Sequence, residues 1–294
     1  MKSLPHIVLG LAFLLTANLH AANPAPSTTQ RELSIPVDGG QLVLRPLLDN
    51  AVRVRFVRGE SAESRNLILR DDIAAPEFQV HESSAEVAVE MARLRVGVDR
   101  ATGTITFQDA SGRVFLRELP GTRRVEAATI HDEPTWAVSQ SFDSPPDERL
   151  FGTGEFQDGF LNIRDLPRRL TQVNTQIAIP FVVSSRGFGL LWHNYGLTEF
   201  NSADELVPLA ARDPSGAAAT VDVTTTEGTK KETRQDRAFV GRFRVASAGR
   251  YAFSLDVGRN MARRWHVEID GKPIVDFYNF WLPPFTGCFA DLEA

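Results

Sequence analysis

One cysteine, Cys288, stands in a chain of 294 residues. An intrachain disulfide is thereby excluded, and so is any cysteine-rich metal site. Helical periodicity is missing too, because no window sustains an apolar pattern at helical spacing. There is no G-x-S-x-G nucleophile elbow, no H-E-x-x-H pair and no phosphate loop of the G-x-x-x-x-G-K-[ST] type. Gly152-Thr153-Gly154 lacks the third glycine and the following helix that a nucleotide fingerprint needs. A basic footprint is absent: the formal net charge is −5, so nucleic acid is not an expected partner.

Long apolar runs are scarce, and the one near the N-terminus has a recognisable setting. Lys2 precedes an apolar run from Ile7 to Leu15, followed by Asn18, Leu19, His20, Ala21 and Ala22. That order is the basic, apolar and small-residue sequence of a secretory signal over residues 1–22. The run is too short to span a bilayer comfortably. Secretion to the periplasm or the cell exterior is expected, with no membrane association after cleavage. Removing residues 1–21 takes away only Lys2 among the charges, leaving 31 basic against 37 acidic side chains.

Residues 23–30 read as a polar, proline-containing tail. Beyond it the dominant period is two. Val52, Val54 and Phe56 alternate with Arg53 and Arg55. Val87, Val89 and Met91 make one face, and Leu94, Val96 and Val98 continue in shifted phase, which predicts a bulge or turn between two strands. Asp99–Gly103, Asp109–Gly112 and Asp270-Gly271 carry turn chemistry. The expected fold is all-β, a sandwich. Residues 211–236 are small, polar and charged, and read as a junction or long loop. Strand alternation resumes with Phe243, Val245, Tyr251, Phe253 and Leu255, then Trp265, Val267 and Ile269. The final segment, NFWLPPFTGCFADLEA, shows no obvious closing strand, so the second domain is expected to be partial.

Glycoside hydrolysis needs two carboxyl groups facing one bond. Glu148, Glu155, Asp158 and Asp165 lie in one polar region, where a solvated rim is the favoured reading over a catalytic pair. Between Gln157 and Gln176, the residues Asn162, Arg164, Asp165, Arg168, Arg169, Gln172, Asn174 and Gln176 offer many donors and acceptors. Such planar groups match sugar hydroxyls; they also suit a loop bonded to itself and pinned to a neighbour. Trp192, Tyr278 and Trp281 are candidate sugar platforms, with packing the favoured reading for Trp192. His81, His131, His193 and His266 show no metal-ligand spacing, and no metal or cofactor is expected.

The segment ERLFGTGE, followed by QDGFLNIRDLPRRLTQVNTQIAIPFVVSSRGFGLLWHNYG, resembles the closing part of the N-terminal β-sandwich of glycoside hydrolase family 31. The resemblance extends over residues 31–210 and implies a galactose-mutarotase-like sandwich. The segment GRFRVASAGRYAFSLDVGRNMARRWHVEIDGKPIVDFYNFWLPPF resembles a protective-antigen type lectin-like module, partial over residues 237–294. Asp256-Val257-Gly258 departs from the paired aspartates of that module's calcium-binding members, so no calcium is expected.

The combination implies an α-xylosidase acting on xyloglucan oligosaccharides, with α-glucosidase next. The family's catalytic aspartates lie on a (β/α)₈ barrel that follows these domains, and no motif of it occurs here. The resemblance therefore implies no catalytic residue in this chain and makes that barrel a partner. It gives Asp158, Asn162, Arg164 and Asp165 a place on the substrate rim. The implied ligand is a xyloglucan-type or α-glucan oligosaccharide or polysaccharide. Two other classes stay open: a stand-alone carbohydrate-binding protein, and an aldose epimerase, whose general acid and base would call for a histidine pair that the spacing does not supply.

Overall fold

The computed structural model describes residues 26–28, 31–59, 66–70, 72–174, 176–212, 218–235, 237–256, 264–278 and 285–294. The signal-like segment and Trp281 lie outside the described residues, as does the Tyr278 side chain. All regular structure among the described residues is strand. They fall into two compact units divided between Ser144 and Pro145.

The first unit carries β1 (Ser27–Thr28), β2 (Leu33–Val37), β3 (Gly40–Leu48), β4 (Ala51–Val57), β5 (Gln79–Glu82), β6 (Glu86–Glu90), β7 (Leu94–Asp99), β8 (Ile105–Asp109), β9 (Val114–Arg117), β10 (Arg124–Ile130) and β11 (Glu133–Ser139). Strands β1 to β4 form one antiparallel meander and β5 to β9 a second. One core joins them: Leu33, Ile35, Leu42 and Leu44 from the first sheet meet Val87, Val89, Val96, Val98 and Ile105 from the second. Two sheets sharing one buried apolar layer make a sandwich. Each such side chain contributes about 1.5–3 kcal/mol by leaving water.

The phase shift after Met91 is a turn, closed by the Met91 N–H donating to the Leu94 carbonyl at 2.8 Å. Register then sets Val87 opposite Val98 and Val89 opposite Val96, which keeps both triplets on the core. At the next corner the Asp99 carboxylate accepts the Ala101 and Thr102 N–H groups, and Gly103 takes φ +66°.

The second unit carries β12 (Leu150–Glu155), β13 (Arg168–Leu170), β14 (Ile177–Ser184), β15 (Phe188–Leu191), β16 (Thr198–Phe200), β17 (Ala210–Arg212), β18 (Ala219–Thr225), β19 (Gly228–Arg234), β20 (Ala238–Val240), β21 (Gly249–Asp256), β22 (Arg264–Ile269), β23 (Lys272–Tyr278) and β24 (Phe285–Leu292). The order β12-β14-β15 forms a three-stranded sheet, and the other strands pair in twos.

Two expectations are corrected here. Within the stretch read as a junction, β18 and β19 form a regular hairpin, with Val221 opposite Glu232 and Val223 opposite Lys230. Threonine and valine at alternate positions supply the strand preference, and charge does not oppose it on an exposed ribbon. The C-terminal segment does contain a closing strand, because β24 pairs with β21 from Gly249–Leu292 to Asp256–Phe285. It escaped pattern reading because small residues are buried on both of its faces: Thr286, Gly287, Cys288 and Ala290. A Cβ on Gly287 would stand 2.2 Å from the Pro167 carbonyl, so only glycine fits beneath that chain.

Candidate functional site

The site begins with an irregularity. Strand β14 arches against β12: Gly152 is opposite Val182, yet Gly154 is opposite Ala178, two residues facing four. The arch brings carbonyls onto β12, where a Cβ on Gly152 would meet the Phe181 oxygen at 2.5 Å and one on Gly154 the Ile177 oxygen at 2.0 Å. Gly152, Thr153 and Gly154 all take positive φ, at +110°, +64° and +105°. For Thr153, a β-branched residue, that conformation is strained.

Arg168 holds the strained segment. Its Nη1 donates to the Thr153 hydroxyl at 2.7 Å and to the Gly152 carbonyl at 3.1 Å. Its Nε and Nη2 form a fork on Asp158, at 2.8 Å to Oδ2 and 2.7 Å to Oδ1. The guanidinium lies 4.4 Å from the centre of the Phe156 ring. Arg168 is 4% exposed, so a charge removed from water is met by a full set of acceptors.

The four expected rim residues divide into two kinds. Asp158 spends both oxygens on Arg168 and also accepts the Phe160 N–H at 3.2 Å. Asn162 accepts the Leu150 and Arg164 N–H groups through Oδ1, at 3.0 and 3.2 Å, which closes its own loop. Arg164 and Asp165 form a pair at 2.5 Å, in which the Arg164 side chain is 22% exposed and that of Asp165 62%, with the Asp165 backbone at φ +64°. Ile163 and Leu166, both fully buried, anchor the segment beneath them. Asn201 ties it down further by donating to the Ile163 and Leu166 carbonyls at 3.4 and 3.3 Å.

Downstream, Arg169 pairs with Glu199 at 2.8 Å and with Asp256 at 2.6 Å. Partial burial works against its charge, but the hydrogen bonds it donates to the two carboxylates outweigh that cost and raise its pKa. Trp192 is half-buried, with its backbone N–H on the Pro180 carbonyl at 2.8 Å. The accessible aromatic beside it is Tyr195, 54% exposed, whose hydroxyl meets His193 Nε2 at 2.7 Å and whose ring meets the imidazole edge-on at 5.2 Å. The sequence names Arg169 only as one of many loop donors and carries no signal of its bridging role. Glu155 follows the arch directly, exposed on the strand end opposite Ile177.

A face of β14 completes the picture. Ile177, Ile179, Phe181 and Val183 alternate outward and are each 40–49% exposed, with Leu191 of β15 in register beside Phe181. A large apolar stripe in solvent marks a surface that other matter covers. Among the described residues no three histidine, cysteine or carboxylate side chains converge to hold a metal ion.

Residues 41–201 match the glycosyl hydrolase 31 N-terminal galactose mutarotase-like domain. The match takes in more than half of the chain, and the chain belongs to glycoside hydrolase family 31. It is 27% identical over 162 residues to an α-xylosidase of Saccharolobus solfataricus, a match covering 51% of this chain and 22% of that protein. It is 39% identical over 68 residues to an uncharacterized family 31 glucosidase of Pseudescherichia vulneris, covering 23% of this chain and 13% of the relative. Both matches span under a quarter of the relatives' own lengths.

Among solved structures, the family 31 α-xylosidase of Xanthomonas citri aligns with a TM-score of 0.66 at 23% identity. That alignment covers 90% of this chain and 33% of the other, and it establishes the fold. A soil-metagenome α-xylosidase of the same family, determined with xylose, aligns with a TM-score of 0.53 at 25% identity, over 60% of this chain and 29% of its own.

Proposed function

We propose that this chain is the N-terminal portion of a secreted retaining α-glycosidase, an α-xylosidase acting on xyloglucan oligosaccharides, with α-glucan as the alternative substrate. The observation that carries the reading is the family match over residues 41–201, joined by α-xylosidases among the similar proteins of both comparisons. Hydrolysis then belongs to a catalytic barrel in the same enzyme, through two carboxyl groups and a covalent intermediate. The outward stripe of Ile177, Ile179, Phe181 and Val183 supports such a partner, because it is apolar surface of the kind a domain interface buries.

In this reading the chain's own part is recognition. Asp165, paired with Arg164, supplies an exposed acceptor, and Tyr195 supplies an aromatic face. Asp158 and Asn162 shape the loop from below. Residues 1–22 direct the protein to the periplasm or outside, and residues 237–294 form part of a lectin-like module. The pairing of β21 with β24 favours a second reading, a binding module that holds carbohydrate without hydrolysing it.

The test is turnover of xyloglucan oligosaccharides by the secreted protein at its natural length, beside the Met1–Ala294 chain alone. Xylose release by the former and none by the latter is expected. Release by the 294-residue chain, or by neither, overturns the proposal.

A further inference from the structure

Arg169 is used up where it stands. Its Nε donates to Glu199 Oε1 at 2.9 Å, its Nη2 lies 2.8 Å from the same oxygen, and its Nη1 donates to Asp256 Oδ2 at 2.6 Å. Its planar face lies 4.7 Å from the centre of the Phe285 ring. Glu199 is its register partner across β13 and β16. Asp256 and Phe285 face each other at the end of the β21–β24 pair, 87 and 116 positions further along the chain. One guanidinium thus joins the strand that continues the rim loop to the strand pair that ends the described chain.

Three further contacts follow the same seam. Phe160, inside the loop, meets Phe289 of β24 edge-on at 5.4 Å. Arg250 of β21 lies 4.1 Å from the centre of that Phe289 ring on the strand-pair side. Gly287 lies so close under Pro167 that no side chain would fit. A fork-shaped cation with two carboxylates and a ring is a joint that lysine, a point charge, cannot reproduce.

We infer that Arg169 is a positioning residue that fixes the loop carrying Arg164 and Asp165 to β21 and β24, making that strand pair a wall of the carbohydrate site. The carbohydrate half of the inference rests on the proposed function; the joint itself does not.

Hydrogen exchange on the secreted protein at its natural length tests the joint, with R169M, R169K and D256N compared. Each variant is expected to raise exchange about tenfold in residues 167–170 and 286–291 together, leaving β6 to β8 unchanged. The R169M/D256N double variant should add little to R169M, which has already lost the Arg169–Asp256 interaction. A rise in one segment alone, or in neither, overturns the joint. For the carbohydrate half, KM for xyloglucan oligosaccharides should rise several-fold in all three variants, with kcat within twofold. An unchanged KM with loosened segments refutes the wall. If the unmodified protein releases no xylose, the proposed function fails, while the exchange result still decides the joint.

Discussion

Arg168 and Asp158 meet as a two-pronged pair, 2.8 and 2.7 Å apart, with the arginine's third nitrogen on the Thr153 hydroxyl at 2.7 Å. The pair binds the start of the loop to its end and also locks the strained turn of β12. Strain of that kind persists only where the surroundings over-determine it.

Replacing Arg168 with methionine keeps much of the volume and removes the charge. Asp158, only 11% exposed, is left as a buried carboxylate without its cation. The expected loss is about 3–5 kcal/mol. Urea unfolding followed by a signal from the second unit measures it, and an unchanged midpoint would refute the assignment.

Gly154→Ala and Gly159→Ala separate close approach from conformational freedom. Both glycines have positive φ, but a Cβ at 154 meets the Ile177 oxygen at 2.0 Å and one at 159 meets nothing within 4 Å. The Gly154 change should cost about 2–4 kcal/mol and the Gly159 change about 1–2 kcal/mol. Equal losses in thermal melting would show that the arch does not depend on the contact.

The only thiol should be silent. Burial pushes Cys288 up to about 11, so almost no thiolate exists at neutral pH. Ellman's reagent should titrate no thiol in the native protein and one per chain in guanidinium. Rapid native labelling would show that β24 is not seated as described.

Two carboxylates give opposite pH slopes. Burial, partly offset by Arg123 and the Ile105 N–H, raises Glu118 above its ordinary value near 4.5. Its folded form holds a proton that the unfolded chain has released, so stability falls as pH rises from about 4.5 through the folded value. Hydrogen bonds from Ser111 and Arg113 lower Asp109 from 3.8 to about 2, so its contribution is full above 3.8 and is lost as pH falls toward 2. Urea midpoints against pH should lose the first slope in Glu118→Gln and the second in Asp109→Asn. Identical profiles in all three proteins would contradict both assignments.

The β character and its corners were legible because period-two patterning and Asx-Gly turns are local. Val87 and Val98 could be placed from their phase alone. Strand β24 was not legible, since Gly287, Cys288 and Ala290 are buried as small residues and carry no alternation. The loop's composition announced hydrogen bonding but not its direction. Arg168 and Arg169 are adjacent in sequence, yet one is sealed on Asp158 and the other reaches Glu199 and Asp256. Only the long-range fold separates them, and the same holds for the exposed stripe of β14, which alternates as an ordinary buried strand would.

The most direct measurement is turnover of aryl α-xyloside and aryl α-glucoside by the protein at its natural length, with the product anomer followed by NMR. The account predicts faster cleavage of the xyloside and release of α-xylose first, as retention requires. Release of β-xylose, or no cleavage of either substrate, would contradict it.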